Sequence, residues 1–280
     1  MKKTLIALMA LAGSAMSQDA ITLRYLLEFN NNDGSATNTA QSKGETPISQ
    51  NGYVNWGNPG SLMDGSTNAH PSSKAENWSI TSGTGIGNGD KGVLSTDTGF
   101  TITFNGYAAS GVNWKDFISF TVGNESYKFE LNDGSALNIY TATTQASTAA
   151  QISNVEKGKW YNYAVSVLGD NYTFSVFDIT GTLVSSSQTF KGATGNLTGV
   201  YDVSSFEPHT TSFEDKTKQY FTDNIAIYDG ALSTKLISQL IKEQVAGKGT
   251  PQSFAVVPEP TTATLSLLAL AGLAARRRRK

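Results

Sequence analysis

The chain has 280 residues, of which 39% are hydrophobic and 16% are charged, and this composition excludes a wholly disordered protein, because such chains are poor in apolar residues. It contains no cysteine and only two histidines, which excludes a disulfide framework, a thiolate nucleophile, a zinc finger and an iron–sulfur cluster. Without its first 17 and last 23 residues the chain keeps 14 Lys and Arg against 22 Asp and Glu; this body has a net charge of −8, so we do not expect it to bind nucleic acid.

Residues 1–17 have the three parts of a secretory signal peptide. Two lysines come first, an apolar run follows over 5–11, and small residues at 13–15 precede a polar stretch. The apolar run is too short to span a membrane. We therefore predict a signal helix and an exported body, with cleavage after Ser17, although Ala15 fits equally well.

The body shows the period-two alternation of β-strands. Apolar residues alternate with polar ones over 21–29 and again over 100–104, which is typical of strands with one buried face. Further apolar runs, separated by turn sequences, lie at 118–122, 127–131, 137–139, 160–168, 172–179 and 221–228. Because no helical segments alternate with these runs, the pattern predicts an all-β domain of two antiparallel sheets packed face to face.

The other segments of the body are one helix and one polar insert. Ser233 can cap the helix, and an apolar stripe repeats at helical spacing from Leu236 to Val245. Residues 30–99 are rich in Asn, Gly, Ser and Thr, and a structureless segment of that length is uncommon in a compact domain. We therefore predict long surface loops joined by short strands near 53–56, 78–80 and 91–94.

Three stretches of the body follow the strand and turn order of a known fold. Residues 100–104 form an apolar strand, 160–181 a Trp-led hairpin, and 221–233 a strand, an Asp-Gly turn and an Ala-Leu-Ser lead into the helix. Together they resemble the LamG-like, concanavalin A-like jelly-roll family. The resemblance implies an antiparallel two-sheet jelly-roll sandwich with one short C-terminal helix and, by analogy, a carbohydrate-binding module.

No catalytic site is predicted. The densest titratable group is Glu207, His209, Glu214 and Asp215, and paired carboxylates can hydrolyse glycosides. For a hydrolase, the jelly-roll resemblance implies catalytic carboxylates at alternating positions of one strand. No strand of this sequence has such an alternation of carboxylates. Pro208 and the surrounding Thr and Ser instead indicate a solvated loop, so a glycan-cleaving hydrolase is kept only as an alternative.

The glycine-rich segment 87–92 has the G-x-G-x-x-G spacing of dinucleotide-binding loops. Such a loop needs a following helix whose N-terminus faces the pyrophosphate, and no helical pattern follows this segment. We interpret the match as chance.

Tryptophan rings are the candidate sugar contacts, because binding a sugar needs exposed aromatic rings beside hydrogen-bonding groups. Trp56 and Trp78 lie in the Asn-rich insert and are the first candidates, and Trp114, beside Asn113, is the next. The alternative for each is a place in the core, since large aromatic residues are usually buried.

We predict no resident metal or cofactor, with calcium as the alternative. Many jelly-roll modules hold calcium with loop carboxylates, and oxygen ligands are abundant in this chain. Four aspartates lie at or near turns or strand ends: Asp33, Asp133, Asp170 and Asp223. No loop has the spaced ligands of an EF-hand, and aspartate at a turn usually bonds its own backbone.

The C-terminal segment has three features in a fixed order. The motif Val257-Pro258-Glu259-Pro260 comes first, and an uncharged stretch over 261–275 follows it. These fifteen residues would reach about 22 Å as a helix, less than the ~30 Å hydrocarbon core. Five cations end the chain and would hold that end on the cytoplasmic side: Arg276, Arg277, Arg278, Arg279 and Lys280.

This order resembles the PEP-CTERM sorting tail of Gram-negative envelope proteins, in which an exosortase-type transpeptidase recognises and cuts the tail. The resemblance implies that residues 257–260 are the processing motif. It also implies that residues 276–280 help to retain the tail at the membrane before processing. The alternative is a simple C-terminal anchor.

Together these patterns predict an exported, non-catalytic jelly-roll module at the cell envelope or outer surface of a Gram-negative-type bacterium. It would act in adhesion or bind polysaccharide or glycoprotein glycans, and an exosortase-type enzyme would process its tail. A structural surface or matrix protein without a discrete ligand is the alternative, beside the hydrolase. The predicted bounds are 1–17 for the signal peptide, 18–250 for the jelly roll and 251–280 for the linker and tail.

Overall fold

The structure, a computed structural model, describes nine stretches of the chain. They are residues 20–28, 48–51, 70–71, 77–87, 91–109, 115–132, 136–141, 148–202 and 220–255. Most of them belong to one compact unit, Ile21–Ser253; the chain ends form a second unit, of which residues 20, 254 and 255 are described. The predicted signal helix lies outside these stretches, and within them no helix has the length and apolar character that a membrane span requires.

In these stretches the chain forms fifteen strands and one helix. The strands are β1 (Ile21–Leu27), β2 (Ile48–Asn51), β3 (His70–Pro71), β4 (Asn77–Thr81), β5 (Phe100–Ala108), β6 (Lys115–Val122), β7 (Glu125–Leu131), β8 (Ala136–Thr141), β9 (Thr148–Ser153), β10 (Trp160–Leu168), β11 (Asn171–Phe177), β12 (Gln188–Lys191), β13 (Leu197–Asp202), β14 (Tyr220–Tyr228) and β15 (Ser253–Phe254). The helix, α1, spans Thr234–Val245.

The strands form two antiparallel sheets. The first has the order β12-β11-β10-β5-β14-β1-β15, with β3 paired to β14 beside this path, and the second has the order β2-β4-β13-β6-β7-β8-β9. Neighbours in a sheet are often distant in the chain, as where β5 and β14 place Ile102 opposite Ile227. The predicted fold class is confirmed: the described chain is mostly β, with two antiparallel sheets and a single short helix.

The two sheets pack face to face through a core rich in aromatic rings. In β5 the alternation turns Phe100, Ile102 and Phe104 toward the core, as the period-two pattern predicts. The Phe104 ring stacks on Tyr163 of the same sheet at 5.0 Å between centroids, and it meets Phe129 of the other sheet edge-on at 5.1 Å. Phe104 therefore joins the two layers.

The other face of the first sheet is polar but also buried, and residues of α1 bond to it. Asn162 Nδ2 donates to Asn105 Oδ1 at 2.9 Å, and Asn105 Nδ2 donates to Gln244 Oε1 of the helix at 3.4 Å. Gln244 Nε2 in turn donates to Thr250 Oγ1 at 2.9 Å. Ser233 accepts a hydrogen bond from the first turn of α1 at 3.4 Å, so the predicted helix cap is confirmed.

The polar insert matches its prediction only in part. β4 contains the short strand predicted over 78–80, and the one predicted over 53–56 lies outside the described residues. Residues 91–94 form a loop instead of the predicted strand. The reason is Gly92, whose φ of 74° lies outside the extended region that a strand needs.

Candidate functional site

One of the three candidate tryptophans lies within the described chain. Trp78 is in β4 and is 0% exposed. It belongs to the core cluster together with Ile80, its neighbour on the same face of the strand. The structure therefore makes Trp78 a core residue and does not support it as a glycan contact, because its ring has no free face. Trp56 and Trp114 lie outside the described residues and stay predictions.

The acidic residues named for calcium or hydrolysis do not come together in the part of the chain that is described. Asp170 is exposed at the β10–β11 turn, where its Oδ1 lies 2.7 Å from Lys191 Nζ, whereas Asp223 is fully buried in β14. Among the described residues, no three His, Cys, Asp or Glu form a group that could hold a metal ion. The other candidates and both tail motifs lie outside these residues: Asp33, Asp133, Glu207, His209, Glu214, Asp215, 257–260 and 276–280.

Gly87 and Gly92, the first and last residues of the glycine-rich segment, both bond a cation of the protein itself. The Arg24 side chain is 1% exposed, and its Nη2 donates to the carbonyl oxygens of Gly87 at 3.1 Å and of Gly92 at 2.8 Å. Its Nη1 lies 3.9 Å from Asp229 Oδ2. A phosphate-binding loop presents N–H groups to an anion, whereas these two residues present carbonyls to a guanidinium. Their role here is therefore structural.

An open cleft lies on the second sheet, where β4, β13 and the β6–β7 turn meet. Its volume is about 370 Å³, within the lower part of the range of small-molecule sites. The residues that line it are Thr81, Ser82, Gly83, Gly123, Thr198 and Tyr201. Two of the six are glycines and four carry a hydroxyl group, and Tyr201 is the aromatic residue among them.

Strand register places the tyrosine on the face turned away from the core. Val200 is fully buried in the core, so the alternation of β13 turns Gly199 and Tyr201 to the opposite face. Gly199 lies directly opposite Thr81 of β4, and Tyr201 lies opposite Ser79. The Thr81 side chain and the space above Gly199 are therefore neighbours across two strands.

The Tyr201 ring lies down along its own strand instead of standing out from the sheet. A methyl group on Gly199 would overlap three atoms of Tyr201, namely Oη, Cζ and Cε2. The ring therefore occupies the space that a side chain at position 199 would fill. Gly199 does not adopt a positive φ, so the backbone does not require a glycine here; the tyrosine ring does.

Two hydroxyl groups of the cleft are free to bond a ligand. Within the described part of the chain, neither Thr81 Oγ1 nor Tyr201 Oη has a hydrogen-bond partner. The other polar groups hold the rim together instead. Thr198 Oγ1 lies 3.4 Å from the Gly123 carbonyl oxygen to which it donates, and the Ser82 N–H donates to the Thr198 carbonyl at 3.0 Å.

This cleft was not predicted from the sequence, because the candidate sugar contacts were the tryptophans at 56, 78 and 114. The signal that was present is the spacing Gly199-x-Tyr201, in which a residue without a side chain precedes an aromatic residue on the same face of a strand. Its partner Thr81 is more than a hundred residues away, and only the pairing of β4 with β13 brings the two together.

Comparison with known proteins bears on the end of the chain. Residues 256–280 match the family described as the PEP-CTERM protein-sorting motif. The chain ends in a PEP-CTERM sorting motif. The PEP-CTERM motif marks an exported protein that is sorted to the cell surface and processed by an exosortase, and the predicted recognition of the tail is confirmed. No curated protein is similar to the chain in sequence.

The body is similar in fold to several solved structures. The receptor-binding domain of botulinum neurotoxin D has a TM-score of 0.56 and 12% identity, and the match covers 80% of this chain and 53% of that one. The serotype D ligand-binding domain in complex with N-acetylneuraminic acid has a TM-score of 0.55 and 12% identity, with 80% and 51% covered. The binding domain of Paraclostridial Mosquitocidal Protein 1 has a TM-score of 0.51 and 14% identity, with 79% and 52% covered.

These similarities concern the fold alone, since the identities are 14% or lower. The chain spans about half the length of the structures it matches. They agree with the two-sheet sandwich that the jelly-roll resemblance implies.

Proposed function

We propose that this PEP-CTERM protein is a surface-exposed, non-catalytic module that binds carbohydrate in the cleft beside Tyr201. The observation that carries the proposal is the flat placement of the Tyr201 ring over Gly199, next to the unbonded hydroxyl of Thr81. The sorting motif supports it, because a protein delivered to the cell surface meets polysaccharides and the glycans of other cells.

The chemistry of a sugar suits these groups. A pyranose ring has one face of C–H groups, which packs on an aromatic ring, and hydroxyls around its edge, which need hydrogen-bond partners. Tyr201 offers the aromatic surface, and the hydroxyls of Tyr201 and Thr81 each offer both a donor and an acceptor. A tyrosine side chain has few rotatable bonds, so ordering it costs little conformational entropy on binding, which favours affinity.

The similar structures give separate support for glycan binding on this kind of sandwich. The serotype D ligand-binding domain was solved in complex with N-acetylneuraminic acid. A further similar structure is of botulinum neurotoxin type C, whose cell entry is dependent upon interaction with two ganglioside molecules; it has a TM-score of 0.50 and 14% identity to this chain, with 80% and 51% covered. One fold can host many functions, so the shared fold supports glycan binding by analogy.

The lining of the cleft supports the proposed non-catalytic role. Neither a carboxylate nor a histidine lines it among the described residues, so no group of that kind is placed there to donate a proton or to attack a glycosidic bond. We further propose that the host has a Gram-negative-type envelope and that an exosortase-type enzyme cuts within or beside residues 257–260.

The test is a glycan array probed with the purified full chain, followed by calorimetric titration of each glycan that binds. Tyr201→Ala should weaken binding by about 0.5–1.5 kcal/mol, or about two- to tenfold in Kd, which is the contribution expected of one aromatic contact. The matched control is Tyr140→Ala. Tyr140 is a half-buried tyrosine of the same sheet, in β8, and it does not line the cleft.

The control variant should bind like the parent. If no glycan binds to the folded parent protein, the proposal fails and the structural surface protein without a ligand becomes the better interpretation. If both variants bind like the parent, the cleft is not the binding site.

A further inference from the structure

We infer that the cleft takes a neutral saccharide and that Gly199 is the positioning residue that sets the Tyr201 ring for it; this inference rests on the proposed carbohydrate-binding function. It names a class of ligand that differs from the acidic sugar in complex with one of the similar structures. It also gives a role to a residue that contacts no ligand itself. Three observations carry it: the charge of the surroundings, the hydroxyl pair and the placement of the ring.

The first observation is the absence of charge in the lining. No Lys, Arg, Asp or Glu lines the cleft among the residues that the structure describes. Lys128 lies on the same face, since Tyr201 is opposite Ser119 and Ser119 is opposite Lys128. Two strand spacings separate it from Tyr201, about 10 Å, and Lys128 has an interaction of its own within the protein.

An acidic sugar would therefore enter without a cation, among the lining residues that are described, to pair with its carboxylate. Losing hydration without such a partner opposes binding of the charged group. The net charge of the body also opposes binding of an acidic sugar, because residues 18–257 carry a net charge of −8 and repel anions at longer range. A neutral saccharide meets neither cost.

The second observation is that two unbonded hydroxyls, one from Tyr201 and one from Thr81, line the same cleft. Tyr201 Oη lies above Gly199, and Gly199 is directly opposite Thr81. Residues opposite each other across two strands have their Cβ positions about 4.5–5.5 Å apart, a spacing that suits two hydroxyls bonding adjacent hydroxyls of one sugar ring. Sugar hydroxyls donate and accept, as these two side chains do, so the groups match without any charge.

The third observation is that the ring can lie flat only because position 199 has no side chain. Alanine there would overlap Oη, Cζ and Cε2 of Tyr201 and would lift the phenol end away from the sheet. The substitution changes no group that touches the ligand. Its backbone cost is small, because Gly199 does not adopt a positive φ and alanine is accepted in a strand at this conformation.

The experiment compares neutral with acidic glycans on the full chain, on three single variants and on one double variant. The probes are oligosaccharides of glucose, galactose, mannose and N-acetylglucosamine on one side, and sialylated, uronate and sulfated glycans on the other. Neutral probes should bind to the parent, and acidic probes should not compete with them. Gly199→Ala and Tyr201→Ala should each weaken neutral binding about two- to tenfold, whereas Tyr201→Phe keeps the ring and should lose less than either.

The double variant Gly199→Ala/Tyr201→Ala separates positioning from general damage. With the ring absent there is nothing for the new methyl group to displace, so the double variant should bind as Tyr201→Ala does. A further loss in the double variant, or full binding by Gly199→Ala with an unchanged circular dichroism spectrum, overturns the positioning role.

Competition on the unmodified protein decides the class of ligand without any variant. Binding confined to acidic glycans overturns the neutral saccharide and leaves the proposed carbohydrate-binding function standing. Binding of no glycan at all overturns both.

Discussion

Replacing Phe104 by alanine tests whether the sandwich depends on the aromatic contacts that join its two sheets. Phe104 is fully buried, and its centroid lies 5.0 Å from that of Tyr163, 5.1 Å from that of Phe129 and 5.8 Å from that of Phe117. Tyr163 belongs to the same sheet, whereas Phe129 and Phe117 belong to the other. The substitution therefore removes one ring from three aromatic pairs at once.

We expect Phe104→Ala to lower the free energy of unfolding by about 3–5 kcal/mol, because it removes a buried ring and leaves a cavity that the neighbouring rings fill only in part. Small domains are stable by about 5–15 kcal/mol, so the loss is a large share of the total. For a domain of 150–250 residues each kcal/mol lowers the Tm by about 2–4 °C, which predicts a fall of about 6–20 °C.

The assay is urea denaturation of the purified protein followed by circular dichroism, with the m-value compared between variants. The matched control is Phe190→Ala. Phe190 lies in the edge strand β12, where it is half-buried, and its ring centroid lies 5.1 Å from that of Tyr172. Phe190→Ala removes less buried surface than Phe104→Ala and should lower the free energy of unfolding by less than half as much.

An unchanged m-value would show that the same surface is exposed on unfolding, so that the midpoint reports stability. The reasoning is refuted if Phe104→Ala unfolds at the same urea concentration as the parent. It is equally refuted if Phe190→Ala costs as much as Phe104→Ala, since burial would then not decide the effect.

Three further predictions concern packing, pH and the tail. Gly106→Ala should destabilise the fold by about 1–3 kcal/mol in the same urea assay, because the new Cβ would lie 2.6 Å from Tyr163 Cε2 in a packed core; no change would show that the core yields freely. Burial alone would raise the pKa of the Asp178 carboxyl, but hydrogen bonds from a hydroxyl and two backbone N–H groups nearby hold that pKa below its ordinary value. A lowered pKa adds stability above the unfolded value and loses it as pH falls through the folded value, so Asp178→Asn should shift the urea midpoint downward at pH 7 and progressively less below about pH 4; a pH-independent difference contradicts this. Intact-mass analysis of the protein recovered from the cell surface should show a chain that ends within or near 257–260, and a retained 276–280 end would contradict processing of the PEP-CTERM tail.

The elements that local patterns predicted well are those whose periodicity follows one buried side. The alternation over 100–104 predicted which side chains of β5 face the core, and the stripe from Leu236 to Val245 with Ser233 predicted α1 and its cap. In both cases the same few contiguous residues decide the conformation and the buried face, so no knowledge of the rest of the chain is needed.

The candidate site could not be predicted in the same way. Trp78 lies in a polar stretch of sequence that is typical of a surface segment. Only the packing of the second sheet on the first shows that the Trp78 side of β4 is the buried side. Tyr201 could have been noticed from the glycine two residues before it. That the pair faces a cleft beside Thr81 depends on the pairing of β13 with β4, which no local pattern specifies.

The sequence by itself therefore determined the strand periodicity, the capped helix and the sorting motif, because each is encoded in a short run of neighbouring residues. The tertiary structure decided which strands pair, which aromatic residues are enclosed and where a cleft remains. Those outcomes join distant residues, as where the Thr22 N–H donates to Asp229 Oδ1 at 2.6 Å across 207 positions, or where Arg24 bonds the carbonyls of the glycine-rich segment. Such contacts depend on which strands pair, as β1 does with β14, and on how the loops pack against them, and that arrangement is a property of the whole fold.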